Sequence, residues 1–178
     1  KKTMKKIVYT AALVIMANFA NAQVAIGKEI VVGNSTILDF NSINNTNGII
    51  LPAVDNVSNA LAATTTNNNG TFLFDKSDSK VKMYEAGSWI DMTGVGSSTK
   101  LVVNTSNDSS TQQGVIMGAD TSNAKGVLVL ESATKAMILP KIANPHLNVK
   151  SPYPGMMCYD TTSRTIAVFD GALWNYWK

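Results

Sequence analysis

From Gln23 onward, apolar residues come in runs of four to six, each bounded by Asn, Asp, Ser, Gly or Pro. No long window carries the i, i+3, i+4 spacing of an amphipathic helix, so the pattern predicts an all-β chain of short strands. Phe72–Asp75, Val81–Glu85 and Trp89–Met92 form one predicted three-stranded meander, and Met156–Asp160, Thr165–Asp170 and Leu173–Tyr176 a second. Asp75-Lys76-Ser77-Asp78-Ser79 and Asp160-Thr161-Thr162-Ser163 supply the first turn of each, because Asp and Ser side chains satisfy turn amides locally. Glu85-Ala86-Gly87 and Asp170-Gly171-Ala172 supply the tighter second turn, with glycine available for a positive φ.

The two meanders are copies of one unit. Val81, Met83, Tyr84, Glu85 and Trp89 fall on Ile166, Val168, Phe169, Asp170 and Trp174, each 85 positions later. Upstream, Ile49-Ile50-Leu51-Pro52-Ala53-Val54 matches Met137-Ile138-Leu139-Pro140-Lys141-Ile142, and Leu38-Asp39-Phe40 matches Leu128-Val129-Leu130. Val31-Val32-Gly33 finds a counterpart in Ile116-Met117-Gly118. The repeat makes Leu51, Pro52, Trp89, Leu139, Pro140, Asp160 and Gly171 structural positions. Proline lacks the amide a central strand needs, so each Leu-Pro pair marks an edge strand or a strand end. The copies differ most at Asn56–Asn69, where Val57–Ala62 allows a short helical turn, and at Ala143–Pro154, whose three prolines leave little room for one. The expected organisation is a first β module at 23–93, a flexible linker at 94–100 built on Gly94-Val95-Gly96-Ser97-Ser98, and a second β module at 101–178. Modules this small need packing against a neighbour, either the sister repeat or another chain, and the polar stretches between strands suit an elongated, fibre-like assembly.

Residues 1–22 read differently. Lys1, Lys2, Lys5 and Lys6 precede an uncharged apolar stretch, Ile7 to Phe19, and Ala20-Asn21-Ala22 is the small-x-small pattern of a cleavage site. That is the outline of a signal peptide, too short and too interrupted by Asn18 for a membrane helix, and it predicts export to the cell surface, the medium or the periplasm. No later stretch is long and apolar enough to span a bilayer. The leader also changes the charge: of 15 Lys and Arg, four lie within it, leaving 11 against 12 Asp and Glu. The basic footprint of a nucleic-acid binder is missing from the remainder.

Candidate chemistry is sparse. His146 is the sole histidine and sits in a proline-flanked loop, so no metal site of ordinary composition is expected, and no nucleophile motif accompanies it. The acids at Asp75, Asp78 and Asp160 lack calcium-loop spacing and read as turn formers. No catalytic residue, metal ligand or cofactor is assigned. Cys158 stands alone in an apolar run, which favours a buried small hydrophobe over a crosslink between chains. Tyr84, Trp89, Phe169 and Trp174 repeat between the copies and read as hairpin packing. Trp174, Tyr176 and Trp177 are the contact candidates, and Trp177, with no aromatic counterpart in the first copy, is the strongest.

Three segments carry a resemblance: Ile138-Leu139-Pro140-Lys141-Ile142, Gly155-Met156-Met157-Cys158-Tyr159-Asp160-Thr161 and Phe169-Asp170-Gly171-Ala172-Leu173-Trp174. Their order resembles a module of exported Bacteroidetes proteins and is similar to modules of phage tail-fibre proteins. The first copy departs from it with Phe74 for the tyrosine and Glu85-Ala86-Gly87 for Asp-Gly. The opening Gln23-Val24-Ala25-Ile26-Gly27 also resembles the start of such chains. The resemblance implies trimeric β structure used for display or attachment. The leading expectation is therefore a non-catalytic structural or adhesive protein that self-associates, as a trimer or polymer, or binds another surface protein through exposed strand edges. The competing expectation is a glycan-binding module with Trp174, Tyr176 and Trp177 as a stacking platform.

Overall fold

The computed structural model describes residues 6, 23–60, 68–102, 114–124 and 126–178. The signal-peptide expectation for residues 1–22 thus falls almost wholly outside the described residues.

The described chain is built of short strands in four sheets. In the first unit, β1 (Val24–Ile26) and β2 (Thr36–Phe40) run parallel, followed by β3 (Ile49–Ile50) and β4 (Ala53–Val54) flanking Leu51-Pro52. A 3-10 turn, Val57–Asn59, is capped by the Asn56 side chain, where a helical turn was expected. β5 (Phe72–Asp75), β6 (Lys80–Glu85) and β7 (Ser88–Asp91) then form the meander. The second unit repeats the order: β8 (Val115–Met117), β9 (Leu128–Leu130), β10 (Ala136–Met137), β11 (Lys141–Ile142), β12 (Met156–Asp160), β13 (Thr165–Phe169) and β14 (Trp174–Trp177). Between β11 and β12 lies one helical turn, Pro145–Asn148. It forms despite the prolines because Pro145 takes the first helical position, where its missing amide costs nothing.

The two meander sheets agree in order, direction and register. β4 joins β5 in parallel through Ala53↔Phe74, as β11 joins β12 through Lys141↔Tyr159, and the pairs Phe74↔Val81 and Tyr84↔Trp89 recur as Tyr159↔Ile166 and Phe169↔Trp174. Gly70 and Gly155 open the meanders at φ +83 and +82, and Ser79 and Arg164 end the first turns at φ 57 and 59. The second turns differ. In the first unit Ala86 and Gly87, both at positive φ, bridge Glu85 and Ser88 in a two-residue hairpin. In the second unit the buried Asp170 side chain accepts from the amides of Ala172 and Leu173 at 2.8 and 2.7 Å and holds a longer loop.

The upstream alignment needs one correction. Val31-Val32-Gly33 is not the partner of Ile116-Met117-Gly118; Val31 and Val32 lie outside any strand. The pairing β1·β2 matches β8·β9, so Val24-Ala25-Ile26-Gly27 corresponds to Val115-Ile116-Met117-Gly118. Gly27 and Gly118 both sit at positive φ, and both precede the same closing bond, Asn41 N–H to Ile26 at 2.9 Å and Glu131 N–H to Met117 at 2.9 Å. The apolar-apolar-glycine signal occurs at Val31-Val32-Gly33 too, but pairing rather than composition decides which run is the strand.

The units do not fold side by side as separate modules. Phe74, Val81 and Met92 of the first share one buried cluster with Met157 and Val168 of the second, with Leu51, Leu139 and Ile166 packed on it. Strands also cross over: β3 pairs antiparallel with β12, and β10 lies parallel beside β2. The neighbour each small module requires is thus its sister. The expected flexible linker differs for the same reason. Gly96 donates to Ser79 at 2.9 Å, Ser97 to Asp170 at 2.8 Å, and Val102 to the Tyr153 hydroxyl at 2.8 Å. A Cβ on Gly96 would stand 2.0 Å from the Asp170 carbonyl oxygen, so its glycine serves close approach of backbones.

Candidate functional site

The aromatic residues singled out from the sequence gather at the end of the second unit, in three different roles. Trp174 is half-buried, tilted against Phe169 with ring centroids 5.4 Å apart, and packs beside the Ile142, Cys158 and Ala167 cluster. Its counterpart Trp89 stands edge-on to Tyr84 at 5.1 Å. Both are therefore hairpin packing residues. Tyr176 is exposed and its hydroxyl lies 2.9 Å from Nδ1 of His146, which the Pro145 turn brings to it. Trp177, the strongest contact candidate, already has a partner within the chain: its indole N–H donates to the Met92 carbonyl, the equivalent position of the first unit. Its ring stays partly open, yet it ties the units together.

Trp174, Tyr176 and His146 line a cleft of about 760 Å³ with Val149, Asp160 and Leu173. The carboxylate there is not free for chemistry. Asp160 Oδ1 accepts from the amides of Asn144 and Thr162, each at 2.9 Å, and Oδ2 from the Ser163 hydroxyl at 2.8 Å. Burial pushes its pKa up, but those donors outweigh burial and hold it below the usual aspartate value. Asp75 repeats the device with Ser77 and adds Lys82 at 3.0 Å, which also meets Asp78 at 2.6 Å. Both buried aspartates lock turns.

Leu51 and Leu139 pack on the shared core, and Pro52 and Pro140 lend their carbonyls to the amides of Phe74 and Tyr159, each at 2.9 Å. Gly171 lies at φ +94, where a Cβ would stand 1.9 Å from the Ser97 carbonyl oxygen. Cys158 is fully buried.

The sequence reading missed the parallel pair β8·β9. Its strands are three residues each, too short for a period to show. Val115 and Leu128, register partners in it, and Val127 beside it are exposed apolar residues that belong to neither buried cluster.

Residues 109–178 match the family model described as phage tail like trimerisation region. The match covers β8 through β14, the parallel pair β8·β9 and the whole second meander. No curated protein and no solved structure matches the chain. This C-terminal part is thus similar to a tail-type trimerisation region, in keeping with an all-β, self-associating structural module. No helix among the described residues is long and apolar enough to cross a membrane.

Proposed function

We propose that this is a non-catalytic, exported structural protein whose modules join copies of the chain into a tail-fibre-like trimer serving display or adhesion at the cell surface. The observation that carries the reading is the match of residues 109–178 to a trimerisation region. The apolar surface around β8 and β9 supports it, since burying such a patch is the usual driving force for association. Amine crosslinking of the purified protein tests the stoichiometry: a ladder that stops at three chains is expected, and a single-chain band under all conditions contradicts it. Export is a separate component of the proposal. It calls for a mature N-terminus at Gln23 when the chain is expressed with residues 1–22, and an uncleaved product would remove it.

A second reading, glycan binding, has one specific observation in its favour. The cleft combines the half-buried Trp174 with the exposed Tyr176 and His146, an apolar face beside polar groups that suits a sugar ring. Titration of a glycan panel decides it: binding lost in Tyr176→Ala supports this reading, and a panel without binders removes it.

A further inference from the structure

The contact between the two units has a direction, and among the described residues both of its ends are open. In an extended strand successive amides point to opposite edges. Leu51 gives its N–H to Gly155 of the second unit at 3.0 Å, so the amide of Ile50 faces the other way. In the second unit the equivalent amide, that of Ile138, donates to the Leu38 carbonyl of β2 at 2.9 Å, while Ala136 donates to Ser35 at 2.8 Å. One segment type, Ile50 or Ile138, therefore serves two edges: through one it meets the meander of the following unit, through the other the parallel pair of the preceding one.

Among the described residues each of these contacts is made once and lacks its second instance. The outer edge of β9 corresponds to the edge of β2 that β10 covers. Glu131 and Val127 direct their backbone groups to β8, through Glu131 N–H to Met117 and Val115 N–H to Val127, so those of Leu128 and Leu130 point outward. Nothing among the described residues pairs with that edge, and Leu128 is exposed. At the opposite end Ile50 is exposed with its amide pointing away from β12. The companion contact is open as well: Leu139 corresponds to Leu51 and Gly70 to Gly155, and no backbone bond joins Leu139 or its like to the Gly70 carbonyl among the described residues.

The geometry points to a head-to-tail contact between copies that repeats the contact between units: Gly48–Ile50 of one copy adds in parallel to β9 of another. The inference rests on the self-association proposed above and specifies its surface. Ile50 N–H donates to the Leu128 carbonyl as Ile138 does to Leu38, and Leu139 N–H of the copy that supplies β9 reaches the Gly70 carbonyl of the copy that supplies Ile50. The occupant is a second copy of this chain because the chain already seats its own equivalent strand, β10, on the equivalent edge. Such a contact is heterologous; it closes into a ring where the rotation permits, as three copies would require, and otherwise runs on as a filament.

Met137 lies opposite Leu38 in β10·β2, so Ile49 of one copy stands opposite Leu128 of the next. Ile49→Cys and Leu128→Cys are made separately, co-expressed, and treated with a short bis-maleimide; Cys158 is buried, and the wild type serves as its control. Linked pairs are expected only from co-expression. Linkage within Leu128→Cys alone means a symmetric edge and overturns the inference. A multi-chain species without linkage also overturns it and leaves self-association standing, whereas a protein that is monomeric throughout overturns both. Ile50→Pro removes the donor without touching the bond of Leu51 to Gly155, and its fold is checked by circular dichroism. It is expected to raise the concentration for half-assembly about tenfold; an unchanged value counts against the inference.

Discussion

Cys158 sits at zero exposure beside Ala167 and Ile142, and burial, with Asp160 nearby, pushes its thiol pKa up to about 12. A thiol so placed holds its proton at neutral pH and has no thiolate to react. The folded protein should therefore resist a colorimetric thiol reagent that labels it fully once it is unfolded, and rapid labelling of the native state would contradict the placement. The buried aspartates carry the second prediction at this scale. Asp39, Asp75 and Asp160 feel burial as an upward push, outweighed respectively by Lys28 and the Val32 amide, by Ser77 and Lys82, and by Thr162, Ser163 and Asn144. Their folded pKa values are lowered, so the stability they contribute is complete above the unfolded value of about 3.9 and is lost as pH falls through the folded values. Urea unfolding should show a plateau above about pH 5 and a steep loss below about pH 4; stability that rises on acidification would refute these assignments.

At the scale of elements, the meanders were legible in the sequence because each strand has four to six residues and each turn carries its own signal, the side chain of Asp75, Asp160 or Asp170 in three and Gly87 in the fourth. The parallel pairs were not, since β1, β8 and β9 have three residues each and leave no period, and each partner lies 10 or more residues away across a loop whose glycines and polar residues mark a turn but not a parallel partner. The stretch around Gly96 was misleading for a related reason: Gly and Ser signal flexibility and close approach alike, and only the neighbouring backbone of Asp170 distinguishes them. Of the contact candidates, Tyr176 and Trp174 do line a cleft with His146, while the indole of Trp177 turns toward Met92, which no single-sequence signal reveals. Gly87 and Gly171 offer a contrast. Both have positive φ, but a Cβ meets open space at Gly87 and the Ser97 carbonyl at Gly171. Gly87→Ala should cost about 1–2 kcal/mol for left-handed backbone, and Gly171→Ala clearly more by thermal unfolding; equal losses would show that the contact between Gly171 and Ser97 is not tight.

At the scale of the whole molecule, the shared core means the two units should unfold together. Phe74 is fully buried between Val81 and the second unit's Met157 and Val168. Phe74→Ala should destabilise the whole protein by about 3–5 kcal/mol, with far-ultraviolet circular dichroism and tryptophan fluorescence following one transition; two separate transitions would contradict a common core. In the head-to-tail contact proposed above, the interface between units is the template for contacts between copies, and the edge of β9 and the outward amide of Ile50, unpaired among the described residues, are its ends. The central claim is therefore self-association, and the most direct test is the mass of the purified protein by light scattering over a wide concentration range. A mass of three chains that holds on dilution is the predicted result; a single-chain mass at every concentration would contradict the account.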